Sequence, residues 1–181
     1  MRVLLAIVLA ALALPGVAVS TAAAGSGADV KGVGGGWVGF MNPPFPFATS
    51  RKYAQFSLSA HQGPNGDFGQ ATISISDEFG FPFDLWAKLD CVNVFPQPPF
   101  RGGMWASGVA TKVNDPTGTY FISPGDRVYF SAYDGGEPSA GPVDSFNAWY
   151  DLGVSCYLLA AYLEPPDVQE GNIVISADFT R

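Results

Sequence analysis

Histidine occurs once in this chain, at position 61, and that scarcity removes one class of chemistry and narrows another. A zinc site built on several imidazoles needs more than one, and a Ser-His-Asp arrangement would have a single possible base. No G-x-S-x-G elbow is present, and the serines nearest His61, Ser57 and Ser59, fall on its own candidate strand. His61 therefore reads as a strand-end surface residue. Charge is also scarce. Only 14% of residues are charged, and the excess is negative, with a formal net charge of −7. Such a chain lacks the basic face that a phosphate backbone demands, so no nucleic-acid partner is expected. An anionic lipid surface would repel it. No G-x-x-x-x-G-K-[ST] loop occurs, and the Gly34–Gly36 run precedes a strand candidate rather than a helix.

The carboxylates form no recognisable catalytic pair. Adjacent Asp77 and Glu78, like Asp134 and Glu137, sit where turns are expected, and they read as turn formers before glycosidase acids. No catalytic residue, cofactor site or metal site is assigned. Calcium is the one cation with candidate donors, Asp134, Glu137 and Asp144 in one Gly/Pro-rich loop, although no D-x-D-x-D-G loop is present.

Long apolar runs are confined to the N-terminus. Arg2 supplies a minimal positive start, Val3 to Leu14 is uninterruptedly apolar, and Pro15-Gly16 leads to Ala22-Ala23-Ala24 before Gly25. This is the anatomy of a signal peptide over residues 1–24. A spanning helix needs about 20 apolar residues, and this run stops short of that. The later run Val154–Leu163 is shorter still, so no membrane span is expected in the mature chain. The protein is expected to work outside the cytoplasm, secreted or periplasmic. Residues 25–36 read as a flexible Gly/Ala-rich lead-in and 37–181 as a single domain.

Short alternating segments make up most of that domain. Phe56, Leu58 and Ala60 oppose Gln55, Ser57 and Ser59; Ala71, Ile73 and Ile75 oppose Thr72, Ser74 and Ser76. Gln62–Gly69 between them is dense in turn residues and reads as a hairpin loop. Leu85, Ala87, Leu89 and Cys91 line one face against Trp86, Lys88 and Asp90. Met104–Val113 is a further strand with poorly sorted faces. Trp37–Met41, Arg127–Tyr133, Ser145–Tyr150, Val154–Leu163 (whose Leu and Ala content would also suit a helix, although Cys156, Leu158 and Ala160 alternate) and Asn172–Phe179 complete the set. With about eight to nine short strands and no long helix, the expected class is all-β, an antiparallel sandwich or closed barrel.

The two cysteines, Cys91 and Cys156, survive signal cleavage and meet an oxidising compartment. Each falls on the apolar side of its own alternation, so both are expected to point into one core and to form a disulfide. Aromatic residues supply the remaining signal. Trp86 shares a face with Lys88 and Asp90, and Tyr129 and Tyr133 oppose Val128 and Phe130. Rings on the outside of a sheet can stack on sugars or pack against another protein; where loops cover that face as well, the same rings are simply core, and the alternation favours that reading no less. The leading expectation is a non-enzymatic module that binds a glycan or surface protein through Trp86, Tyr129 and Tyr133. The alternative is a small-ligand carrier or enzyme with its site inside a barrel.

Three segments carry a family resemblance: Gly34-Gly35-Gly36-Trp37-Val38-Gly39, Asp134-Gly135-Gly136-Glu137-Pro138 followed by Val143-Asp144-Ser145-Phe146, and Glu170-Gly171-Asn172-Ile173-Val174-Ile175. Together they resemble a family of secreted bacterial β domains often found behind choice-of-anchor domains in cell-surface proteins. That family shows a GGG-hydrophobic start, a D-N-G-E-P-G…D-x-F segment and a G-N-I-hydrophobic end. This chain departs from it with Gly135 in place of Asn and with Ser139-Ala140 inserted after Pro138. The resemblance implies an exported all-β module and carries over no catalytic residue.

Overall fold

A computed structural model describes residues 30–38, 54–76, 80–136, 142–150, 156 and 167–177. Within them lie eight strands: β1 (Val30–Val38), β2 (Ala54–Gln62), β3 (Phe68–Ile75), β4 (Phe83–Phe95), β5 (Gly102–Asn114), β6 (Arg127–Asp134), β7 (Ser145–Tyr150) and β8 (Val168–Ser176). They form one antiparallel sheet in the order β7-β6-β5-β4-β3-β2-β1-β8, a meander whose last strand returns beside the first. The sheet curls into a nearly closed barrel, and an isolated bridge between Ser145 and Asp167 joins its two edges.

The alternation read from β2 and β3 is the inside–outside alternation of this barrel. Phe56, Leu58, Ala60, Ala71, Ile73 and Ile75 all lie in the core. Inward side chains meet across the middle: the Phe56 and Phe146 rings stack with centroids 4.0 Å apart, from strands that are not neighbours in the sheet. Met104 of β5 fills the space that a side chain at Gly32 of β1 would need. The barrel interior is thus packed with side chains at this level, as small barrels are.

Residues 30–36 correct one expectation. The glycine-rich stretch is no flexible lead-in there but most of β1, paired with β2 on one side and β8 on the other. Glycine is required for that close approach. A Cβ on Gly36 would run into the Glu170 carbonyl, and one on Gly171, held at φ +126°, would run into that of Gly35. Two neighbouring strands therefore come together through bare backbone.

Two irregularities in the β4–β5 ladder explain the other departures. The register shifts between Leu89 and Cys91, which leaves Asp90 as an extra residue and turns Cys91 outward, while Val92 and Val94 resume the inward face. Cys91 therefore does not point into the barrel with Leu89; a β-bulge reverses its side. The second shift lies between Trp86 and Ala87, opposite an extra Thr111, and it exchanges the faces of β5. That is why Met104–Val113 shows no clean period. Cys91 and Cys156 are nonetheless disulfide-bonded, with Cα atoms 6.2 Å apart, and Cys156 is fully buried. The bridge lies against the outer face of the barrel wall. The strand expected at 154–163, Cys156 apart, and the signal segment 1–24 lie outside the described residues.

The seam between β8 and the β6–β7 end is closed by side chains. Asp134, at the end of β6, accepts the Ile175 N–H at 2.9 Å, and Asp144, just before β7, accepts the N–H of Ile173. The same carboxylates take the N–H groups of Gly136 (2.8 Å) and Gly135 (2.7 Å), so each of their four oxygens accepts one backbone donor. Val168 N–H donates to the Asp144 carbonyl at 2.7 Å. Both aspartates are buried.

Two outcomes are expected from this arrangement. Asp144→Asn turns one acceptor oxygen into a donor that faces an N–H. The orphaned buried donor should cost about 1–3 kcal/mol, read as a lowered urea midpoint with an unchanged slope. Reduction of the disulfide, which closes a separation of 65 residues, should cost about 4 kcal/mol by loop entropy. A melting temperature unmoved by reductant would contradict this.

Candidate functional site

The outer faces of β3, β4 and β5 form a shallow groove of about 430 Å³ around Trp86. Gly69, Gln70 and Thr72 border it on β3, Trp86 and Lys88 on β4, and Thr111 on β5. Register builds it: Trp86 lies opposite Thr72 on one side and Lys112 on the other, and Lys88 lies opposite Gln70. The bulge at Thr111 deepens the bend, and the Thr111 hydroxyl donates to the Trp86 carbonyl at 3.1 Å. Thr72 is tied to Ser57 by a hydroxyl–hydroxyl bond of 2.8 Å. The Lys112 ammonium sits 4.2 Å from the Trp86 ring centroid and holds the half-buried indole in place by a cation–π contact. Gly69 itself belongs to the inward set of β3 with Ala71 and Ile73, and a Cβ there would collide with the Ser59 carbonyl of β2.

The other two aromatic candidates are not part of this surface. Tyr129 and Tyr133 do point outward from β6, as their alternation required, but they are 1% and 5% exposed. Phe100 packs on the Tyr133 ring with centroids 5.2 Å apart, and Phe95 meets it edge-on. Burial pushes the Tyr133 phenol above its ordinary value. The expectation of an exposed row Trp86–Tyr129–Tyr133 is corrected to Trp86 alone, because the outer face of β5–β6 is covered, with Trp105, Ser107 and Ser131 buried beside the two tyrosines. Gln70, Thr72, Thr111 and Lys112, none of them a candidate from the sequence, surround Trp86 here. The break in period at Thr111-Lys112 was the available signal.

His61 lies at the end of β2, where its ring stacks on Phe68 at 4.6 Å. Of the calcium candidates, Asp134 and Asp144 turn their oxygens to the seam N–H groups, and Glu137 lies outside the described residues. No helix among the described residues is long and apolar enough to cross a membrane.

The carboxylates of the fold differ in their electrostatics. Burial raises the Asp144 pKa against the pull of the Ile173 and Gly135 N–H groups, and neighbouring Asp134 raises it further. Asp115, in the β5–β6 loop, is pushed up by partial burial. N–H groups of Tyr120, Thr119 and Gly118 and the Thr117 hydroxyl outweigh that and leave it below its ordinary value.

Fold and groove together define an antiparallel β-barrel domain with an aromatic-walled recess on its outer surface. No family model, curated protein or solved structure matches the chain.

The two aspartates should titrate in a fixed order, Asp144 above about 3.8–3.9 and Asp115 below it. The linkage runs in opposite directions. The folded state holds the Asp144 proton more tightly than the unfolded chain does. Its contribution is therefore favourable at low pH and is lost as pH rises through the folded pKa. The Asp115 contribution is present above the unfolded value and is lost as pH falls through the folded one. Carboxyl-detected NMR titration reads both, and the reverse order would refute the assignment.

Proposed function

We propose that this chain is an exported, non-enzymatic β-barrel module that binds a glycan of the extracellular or cell-surface environment on the outer face of β3–β5. The observation that carries the proposal is the groove itself: an indole wall fixed by Lys112, with hydroxyl and amide groups of Thr72, Thr111 and Gln70 around it. Sugar rings offer an apolar C–H face to an aromatic ring and hydroxyls to such polar neighbours. The size lies within the usual range of about 300–1,000 Å³ for small-ligand sites. The packed interior around Phe56, Phe146 and Met104 favours an outside site over one within the barrel.

Export is supported by the N-terminal segment 1–24 and by the Cys91–Cys156 bridge, since such bridges persist in oxidising compartments. The likeness to secreted β domains of cell-surface proteins agrees with this reading. A glycan array probed with the folded protein should give a defined set of binders, and Trp86→Ala should abolish it while Phe121→Asn leaves it intact. Phe121 is the control because it is 80% exposed in a different loop, at φ +54°, a conformation Asn tolerates. Loss of one aromatic stacking contact is expected to weaken binding by about 1–3 kcal/mol, by analogy with bases stacked on aromatic side chains. Absent binding, or equal binding by the parent and Trp86→Ala, would overturn the proposal, and a protein partner retained by Trp86→Ala would point to another surface.

A further inference from the structure

The groove carries a charge that runs against the rest of the molecule. The chain has 9 Lys and Arg against 16 Asp and Glu, yet the ionisable groups bordering or touching the groove wall are Lys88 and Lys112. The nearest carboxylates along the outer face of β4 are already engaged. Asp84 accepts the Ser74 hydroxyl at 2.6 Å and the Asn114 amide at 3.2 Å. Asp90, the bulged residue, takes both guanidinium nitrogens of Arg127 at 2.9 and 3.0 Å. Lys88 lies between Trp86 and Asp90 on this strand, is exposed, and makes no ion pair among the described residues. Its cross-strand partners are Gln70 and Val109, neither of them acidic.

We infer that the groove selects an anionic saccharide, one whose sugar carries a carboxylate, with Trp86 meeting the ring and Lys88 the acid group. This rests on the glycan-binding reading above and gives it a substrate class. Charge complementarity is what commits the site to that occupant: an ammonium with no ion pair among the described residues, beside an aromatic wall, forms with a carboxylate a hydrogen bond in which both partners are charged, an ion pair that a neutral sugar cannot supply. The net negative charge of the domain opposes the approach of a polyanion only over distance. At physiological ionic strength that repulsion is screened beyond about 8 Å, whereas the contact with Lys88 is direct and wins.

The test uses the whole exported protein and two oligosaccharides of one length, a uronic-acid hexamer and its methyl ester, in calorimetric titrations at physiological salt. The free acid should bind about tenfold or more tightly than the ester. Lys88→Gln should erase that preference by bringing the acid down to the affinity of the ester, with the melting temperature unchanged. Lys112→Gln should weaken both, because it loosens the indole. Equal affinity for acid and ester, both lost in Trp86→Ala, overturns the charge inference and leaves the glycan reading standing. No binding of either oligomer overturns the inference too, and the glycan array then decides the underlying reading separately. A preference for the acid that survives Lys88→Gln overturns the assignment of that residue.

Discussion

A sheet that curls without completing its own ladder leaves strand-edge N–H groups with nowhere to donate, and in this protein aspartate side chains take them. Asp134 and Asp144 accept the Ile175 and Ile173 amides of β8, where a backbone neighbour would otherwise have to lie. An unpaired edge is both an energetic penalty and an invitation to pair with another chain. Two carboxylates from one β6–β7 connection answer both at the edge of β8. The barrel needs little more there than the bridge between Ser145 and Asp167. The cost appears as the raised pKa of Asp144, which is buried beside a second acid.

The same solution recurs where β4 outruns β3. The ladder between them ends at Gly69 and Leu89, and beyond it the Val92 N–H donates to Asp67 at 2.8 Å and the Val94 N–H to Gln62 at 3.2 Å. Side-chain acceptors at both places let strands differ in length without orphaned donors. The length of β4 and β5 matters to function, because only long strands can hold two bulges and still pack inward on both sides of them. Those bulges turn Cys91 outward to meet Cys156 and bend the wall at Thr111 beside Trp86. Stability and the candidate site therefore share one pair of strands.

Much of this was legible in the residues. The clean alternation of β2 and β3 announced a half-buried antiparallel sheet, and the all-β class with about eight strands follows from such segments. Pairing of Cys91 with Cys156 was legible as well, but not the face it lies on, because a single extra residue in β4 inverts every later side chain. Tyr129 and Tyr133 show a related limit. Their outward direction could be read from alternation, whereas their burial depends on what covers β6, which no local pattern encodes. The glycines of β1 looked like a linker because composition alone cannot show that Gly36 and Gly171 will meet across strands. Likewise, the three segments that carried the family resemblance were short and turn-like in sequence. In space Gly34–Val38 pairs with Val168–Ile173 of β8, whose Ile173 and Ile175 N–H groups donate to Asp144 and Asp134.

Closure of the barrel stands or falls at this seam, and amide hydrogen exchange measures it residue by residue. If Asp134 and Asp144 close the barrel, the Ile173 and Ile175 amides will exchange as slowly as those in the middle of β2 and β3. In an Asp134→Ala, Asp144→Ala double variant, which leaves neither amide a side-chain acceptor, they should become fast while β2 and β3 stay protected. Rapid exchange of both amides in the unaltered protein would contradict the account, because it would mean that the edge of β8 stands open to water.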